Sequence, residues 1–222
     1  MKKFELTTEF ITNALGKKLF RIKALVEFGS VKAGELGGYA EKEENISQDG
    51  NAWVSGDARV YGNAWVSGDA RVYGDAWVYG DARVYGNAWV SGNAEVYGDA
   101  KVSDNAKVFG NAKVYGNARV YGNAWVSGNA RVSGDAWVSG NAWVSGDADY
   151  ALVQGFGTEF RCTTFYRGKN KKIMVNCGCF HGDLEGFRKQ VKETRNGKIA
   201  KEYLMIADLM EYHFTSEDSS NE

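Results

Sequence analysis

The centre of the chain repeats a six-residue unit, which appears twice in GNAWVSGDARVY at residues 50–61. Valine recurs at every sixth position from Val54 to Val144, sixteen times without a gap, and alanine lies two residues before each valine. Glycine opens every unit except the one at Asp104, which accounts for sixteen of the 28 glycines in the 222-residue chain. A short period kept in register over such a length is typical of a solenoid, whose coils are stable only when stacked.

Each unit has the pattern of one short strand followed by one turn. In Ala-x-Val the alanine and valine fall on one side of a strand and x falls on the other. Glycine followed by Asn or Asp tolerates the positive φ of a tight corner. We therefore expect three units to close one triangular coil, with Ala and Val inside and x on three outer faces. At ~4.8 Å per coil, nearly six coils would make a prism roughly 27 Å long.

The spacing of Val54 and Ala58, repeated up to Val144 and Ala148, resembles that of the hexapeptide-repeat left-handed parallel β-helix proteins, in which a small residue follows an aliphatic one four positions later. This resemblance implies left-handed winding and trimers of prisms packed side by side. A two-sided coil of two units is the alternative, because Trp and Arg alternate in the x positions from Trp53 to Trp89.

The segments on either side of the repeat have mixed patterns. Strands are predicted at Phe4–Leu6 and Leu19–Leu25 around a Gly16-Lys17 turn, and a hairpin is predicted from residues 158–166 and 172–176. Two helices should follow, one after an N-cap at Asp183 and one from about Ile199 to His213. The predicted parts are an N-terminal cap with an irregular first coil at 1–49, the β-helix at 50–149, a C-terminal α+β (ββαα) domain at 150–214 and a disordered tail at 215–222.

Parts of both flanks also resemble a bacterial and phage family of hexapeptide-repeat proteins of unassigned function, often labelled putative acyltransferases. The resemblance lies in the lead-in from Phe28 to Gly50, in CGCFHG at residues 177–182 and in AKEYL at residues 200–204. It implies an origin in a phage or prophage.

Every eighteenth residue falls on the same outer face of the expected prism. The first face holds Trp53, Arg71, Trp89, Lys107, Trp125 and Trp143; the second holds Arg59, Trp77, Glu95, Lys113, Arg131 and Asp149; the third holds Trp65, Arg83, Lys101, Arg119 and Trp137. All seven tryptophans thus occupy outward positions, where wet aromatic surface is costly. We predict a binding or subunit interface formed by these tryptophans together with Arg83, Lys101, Lys107, Lys113 and Arg119, and a homotrimer is the simplest assembly.

Charge and cysteine content narrow the functional classes. With 27 basic and 28 acidic residues the net charge is −1, so no global field draws the chain to nucleic acid or to an anionic membrane. Three cysteines are an odd number, which is unlike a secreted disulfide framework. The start of the chain is not followed by an apolar signal core, and no run of ~18 apolar residues occurs. We expect a protein of the bacterial host cytoplasm that does not bind a membrane.

Catalytic and metal chemistry have little support in the sequence. The repeat contains no histidine, whereas the usual acyltransferase on this fold needs a histidine base and its carbonic anhydrases need three histidine ligands. Cys177, Cys179 and His181 are weak zinc candidates because Cys-x-Cys-x-His is not a standard spacing, and a symmetric hairpin would place Cys162 beside Cys177. We expect no catalytic residues, no cofactor, no metal and reduced buried cysteines.

The function expected from these observations is a non-catalytic phage or prophage scaffold that oligomerises and binds a host protein, such as a defence complex that it inhibits. The first alternative is a nucleotide or nucleic-acid binder that sequesters a signal, since aromatic rings interleaved with cations can stack bases and hold phosphates. The second alternative is an acyl-CoA-dependent acyltransferase with an unusual base.

Overall fold

Each x-Val pair of the repeat forms a two-residue strand, and these strands stack as a parallel β-solenoid of about six turns. The computed structural model describes residues 1–215. The solenoid strands are β4 (Trp53–Val54), β5 (Arg59–Val60), β6 (Trp65–Val66), β7 (Arg71–Val72), β8 (Trp77–Val78), β9 (Arg83–Val84), β10 (Trp89–Val90), β11 (Glu95–Val96), β12 (Lys101–Val102), β13 (Lys107–Val108), β14 (Lys113–Val114), β15 (Arg119–Val120), β16 (Trp125–Val126), β17 (Arg131–Val132), β18 (Trp137–Val138) and β19 (Trp143–Val144).

Each solenoid strand pairs in register with the third strand after it in the sequence, which confirms the three-sided coil. Trp89 lies beside Lys107 and Val90 beside Val108 in the first of three parallel sheets. Every third strand belongs to the same sheet, so the three predicted faces are the three sheets. The two-sided coil of two units is wrong, because it would pair every second strand.

The interior of the solenoid consists of the predicted valines and alanines. The valines from Val54 to Val144 are all fully buried, and the alanines between Ala52 and Ala142 are at most 2 % exposed. Each valine therefore lies in register with the valine of a neighbouring coil, while the x residue of the same strand points outward. The placement predicted from the two-residue alternation is confirmed.

The corners explain the glycine content. Gly86 has a φ of 68°, and a Cβ built on it would lie 2.9 Å from the backbone nitrogen of Asp104 in the next coil. Asp104 takes the same left-handed conformation, with a φ of 57°. Its carboxylate accepts a hydrogen bond from the Gly122 amide at 3.0 Å, so the side chain stabilises the corner of the following coil.

The hydrogen-bond ladder gives the solenoid a direction. The amide of each coil donates to a carbonyl of the next coil, as Trp53 N does to Ala70 O at 3.0 Å. The N-terminal end therefore presents carbonyls and needs donors, whereas the C-terminal end presents amides and needs acceptors.

Donors from the N-terminal region meet the first of these needs. Asn45 Nδ2 donates to Ala64 O at 2.9 Å, and the buried Lys3 Nζ donates to Ala52 O at the same distance. The elements are β1 (Phe4–Thr12), β2 (Lys18–Ala24), β3 (Leu36–Ala40) and a 3-10 turn at Glu43–Asn45. The first three strands form an antiparallel meander, and β3 then runs parallel to β5. Both predicted N-terminal strands are present.

The C-terminal region is a four-stranded antiparallel sheet with two helices. After a 3-10 turn at Asp147–Asp149 come β20 (Tyr150–Phe156), β21 (Arg161–Arg167), β22 (Ile173–Cys177), β23 (Phe180–Asp183), α1 (Leu184–Thr194) and α2 (Gly197–Thr215). The sequence predicted only the two middle strands. The first of these begins at Arg161 rather than at residue 158, because the chain turns at Phe160 with a φ of 46°.

The two faces of this sheet pack against different partners. On one face, Tyr166 is fully buried in the solenoid core, and Thr164 Oγ1 accepts from the Trp137 amide at 3.0 Å. The other face packs on the helices through Phe165 and Val175. Asp183 caps α1 as predicted, accepting from Gly186 N at 2.9 Å. The tail predicted at 215–222 lies outside the described residues apart from Thr215.

Candidate binding surface on the outer faces

The first face carries a continuous stack of aromatic and cationic side chains. Lys107 Nζ lies 4.7 Å from the ring centre of Trp89 and 5.1 Å from that of Trp125, in the coils on either side. Trp143 follows with its ring centre 5.9 Å from that of Trp125. Trp89, Trp125 and Trp143 are each about 40 % exposed, so this aromatic surface faces solvent.

Corner residues extend this aromatic surface sideways. Tyr73 contacts Trp89 edge to face at 6.3 Å, and Phe109 contacts Trp125 in the same way at 6.1 Å. Packing between neighbours fixes the ring orientations before any partner arrives, which lowers the entropy cost of binding.

Trp53, which was predicted as an interface residue, does not belong to the exposed surface. It occupies an outward position but is only 5 % exposed. Phe4 and Phe28 of the N-terminal region pack edge to face on its ring, with centres 6.4 and 5.4 Å away. The first face of the first coil is thus covered at Trp53 by the chain itself.

The second face contains an ion pair between residues of adjacent coils. Lys113 forms an ion pair with Glu95 at 2.8 Å, and this contact raises the pKa of the lysine. Tyr79 donates to the same carboxylate at 3.1 Å, and burial together with the Glu95 charge raises the pKa of its hydroxyl. Trp77 is half-buried, with the Arg59 guanidinium 5.0 Å from its ring centre. Trp77 and Lys113 were predicted as interface residues, and both have partners within the chain.

The adjoining corner carries the expected tyrosine ladder. The rings of Tyr61, Tyr79, Tyr97 and Tyr115 stack nearly parallel at 4.9 to 5.0 Å, one per coil. Their contacts are with one another along the solenoid axis, so this corner stabilises the stack of coils.

The third face presents three cations in adjacent strands. Lys101 pairs in register with Arg83 on one side and with Arg119 on the other. Within residues 1–215, none of the three has a carboxylate at ion-pair distance, and Arg119 instead lies 4.9 Å from the ring centre of Trp137. The basic residues that follow one another in sequence from Lys101 to Arg131 are divided among all three faces, whereas Arg83, Lys101 and Arg119 lie in three adjacent strands of one face.

The alternation of Trp and Arg has a geometric consequence in the coil. Tryptophan and arginine alternate from one unit to the next between Trp53 and Trp89, so their pattern repeats every two units, whereas the coil closes after three. One coil contains three units, which is one and a half periods of the alternation. Within this stretch, the residue one coil above a tryptophan is therefore a cation, and the residue one coil above a cation is a tryptophan. Trp65 therefore pairs with Arg83, and Trp89 with Arg71, which places a cation beside a ring in these coils.

The weak metal candidates lie on opposite faces of the C-terminal sheet. Cys177 lies on the helix face and accepts from Thr163 Oγ1 at 3.0 Å. His181 lies on the solenoid face, where Nδ1 contacts Asn176, Ser139 and Tyr166. No group of three His, Cys, Asp or Glu side chains suited to a metal occurs in the part of the chain that the structure describes.

The third cysteine also departs from the predicted register. Thr163, not Cys162, is opposite Cys177. Cys162 faces the solenoid and donates to Asp135 O at 3.4 Å, and burial raises the pKa of its thiol to about 11. It is thus a protonated thiol at neutral pH.

The long C-terminal helix adds an exposed apolar stripe that the repeat gave no reason to expect. Tyr203, Ile206 and Met210 face inward as predicted. Met205, Leu209 and Tyr212 are more than half exposed, and they lie one helical turn apart on the outside of α2. The spacing of apolar residues in α2 is helical on both sides of the helix, and few polar residues separate the two apolar sides. The sequence alone therefore did not show which apolar side faces the core and which faces solvent. Within the described residues, no helix is long and apolar enough to cross a membrane.

The stacked parallel strands and the in-register columns define a β-solenoid repeat protein. The family model described as the YdcK beta solenoid repeat matches the chain at residues 52–68, 64–80, 76–92, 112–128 and 124–140. Successive matches within each group begin two repeat units apart, which is also the period of the Trp and Arg alternation. No curated protein matches the chain.

Proposed function

We propose that this protein is a non-catalytic scaffold, encoded by a phage or prophage, that forms a homotrimer and binds a partner protein in the cytoplasm of the bacterial host. The observation that carries the proposal is the exposed aromatic stack of the first face, Trp89, Trp125 and Trp143 with Lys107 between them. The resemblance of the repeat and its flanks to the bacterial and phage hexapeptide-repeat proteins supports the trimer and the phage origin.

The chemistry of this stack is that of a protein interface. Tryptophan is enriched among the residues that dominate binding energy, because it buries a large rigid ring at little entropy cost. The rings are ordered by their neighbours along a flat face that is several coils long, and parallel copies of such a face pack well against each other. Inhibition of a host defence complex is the role we propose for the assembled scaffold.

Sedimentation equilibrium tests the assembly. We expect the full chain to sediment at about three times its 24.4 kDa mass and Trp89→Ser/Trp125→Ser/Trp143→Ser to sediment as a monomer with an unchanged circular dichroism spectrum. Trp65→Ser is the matched control, because Trp65 is equally exposed but lies on the third face. A triple variant that sediments like the unmodified chain would rule out assembly through the first face.

Nucleotide binding is the second candidate, and one observation favours it. The third face carries three stacked cations, Arg83, Lys101 and Arg119, and none of them forms an ion pair within residues 1–215. The last of these cations, Arg119, contacts the ring of Trp137 at the end of the face. Cations beside an aromatic ring are the groups that hold phosphates and bases.

A further inference from the structure

A groove runs between the third face of the solenoid and the C-terminal sheet. Its volume is about 360 Å³, within the range of small-molecule sites. Asn117, Arg119 and Trp137 line it from the solenoid, and Gln154 and Arg161 line it from the sheet. We infer that this groove binds a nucleoside phosphate, an inference that rests on the nucleotide-binding candidate above and gives it a site.

Two guanidinium groups supply the phosphate-binding part. Arg119 and Arg161 are both exposed, and in the described part of the chain neither forms an ion pair. Asp135 is the acidic residue lining the groove, and its carboxylate already accepts from Asn117 Nδ2 at 2.9 Å. The groove thus holds two cations against one carboxylate, and Lys101 lies one coil away beside Arg119. One guanidinium group can donate two parallel hydrogen bonds to the oxygens of a phosphate. The two arginines can therefore bind two phosphates of a phosphate chain.

An indole ring and two amides supply the part that recognises a base. Trp137 is 37 % exposed, and the Arg119 guanidinium lies 4.9 Å from its ring centre, so a planar ring stacked on the exposed part of the indole would lie beside this cation. Gln154 makes no side-chain hydrogen bond within residues 1–215, which leaves its amide with donors and an acceptor. Asn117 uses its Nδ2 for Asp135 and keeps its carbonyl oxygen as a second acceptor. A base edge needs such a pairing of donor and acceptor groups.

The geometry also limits the length of the ligand. The C-terminal sheet closes one end of the third face, where Trp137 N donates to Thr164 and Trp137 O accepts from Asn176. A ligand in the groove contacts Arg119 and Arg161, whereas a long polyanion along the whole face would also contact Arg83, which is two coils away from Arg119. Arg83 therefore distinguishes a nucleotide in the groove from an extended strand.

Isothermal titration calorimetry with the full chain tests the site. The probes are ATP, UTP, adenosine and inorganic pyrophosphate. We expect at least one of the two nucleotides to bind once per chain, and adenosine and pyrophosphate to bind at least about tenfold more weakly, because each lacks half of the contacts. Arg161→Gln and Arg119→Gln should each weaken nucleotide binding by at least about tenfold, the loss expected for a charge-assisted hydrogen bond.

Arg83→Gln is the matched control and should change the dissociation constant by less than about twofold. Failure of both nucleotides to bind, pyrophosphate binding as tightly as ATP, or an equal loss in Arg83→Gln and Arg119→Gln would each overturn the inference. Arg161 is exposed and makes no side-chain hydrogen bond within the described residues, so Arg161→Gln should keep the thermal midpoint. Sedimentation of the same samples measures the oligomeric state separately from nucleotide binding. Loss of nucleotide binding in this groove is therefore distinguishable from loss of the proposed trimer.

Discussion

Replacing Val96 by aspartate should abolish cooperative folding of the solenoid. Val96 is fully buried in β11, and its side chain packs between Val78 and Val114 of the coils below and above. An aspartate there has no partner in the Ala and Val interior. Because each coil contacts only its neighbours, a break in the middle separates the stack into two short pieces.

The expected loss follows from the surroundings of this side chain. Removing the buried valine costs about 2 kcal/mol, and burying a carboxyl group without a partner costs several kcal/mol more. The total of at least about 5 kcal/mol is comparable with the whole stability of many domains. Val96→Ala removes only two methyl groups and should lower the free energy of unfolding by about 2 to 3 kcal/mol.

Urea denaturation followed by circular dichroism measures both variants. Lys101→Asp is the matched control, because it introduces the same residue into the next strand but on the outer face, where we expect a change within about 0.5 kcal/mol. If Val96→Asp had the unfolding curve of the unmodified chain, or if Lys101→Asp lost as much stability, the inward placement of valine would be refuted.

Three further predictions concern a corner, the cysteines and the N-terminal end. Gly86→Ala should lower the free energy of unfolding by about 1 to 3 kcal/mol, because its φ is positive and its Cβ would meet the next coil at 2.9 Å, whereas Gly146→Ala, with nothing within 4 Å, should be nearly neutral in urea denaturation. With Ellman's reagent at pH 8, the exposed Cys179 should react before Cys162, whose thiol has a pKa of about 11; equal rates would contradict the burial of Cys162. Burial lowers the pKa of Lys3 to about 8, so between about pH 8 and 10 the unfolded chain binds more protons than the folded one. The free energy of unfolding of the unmodified chain should therefore rise over this pH range relative to that of Lys3→Met. A difference between the two chains that does not change with pH would show that Lys3 has an ordinary pKa.

Much of the fold could be predicted because every unit of the repeat carries the same pattern of inward, outward and turn residues. The two-residue alternation of Ala52 and Val54 fixes the inward side, and the spacing of sixteen valines fixes the register. The number of units per coil is less evident, since the Trp and Arg alternation repeats every two units and the coil closes after three. The hydrogen-bonded pairing of Trp89 with Lys107 decides between them.

The candidate sites were harder to predict because they depend on contacts between distant segments. Trp53 has the same local sequence as the exposed tryptophans, and only the packing of Phe4 and Phe28 on its ring buries it. Likewise, Cys177 and His181 are close in sequence, but the β22–β23 hairpin places them on opposite faces. The groove needs Arg119 and Arg161 together, and no short-range pattern connects these two residues.

The columns of the outer faces underlie both binding proposals, and cross-linking tests them most directly. In chains with the native cysteines replaced by serine, Arg83→Cys/Lys101→Cys places two thiols in adjacent strands ~4.8 Å apart, whereas Trp89→Cys/Lys101→Cys places them on different faces. Dibromobimane becomes fluorescent when it bridges two neighbouring thiols. The three-sided solenoid predicts rapid fluorescence for the 83/101 pair and none for the 89/101 pair, and the reverse result would contradict it.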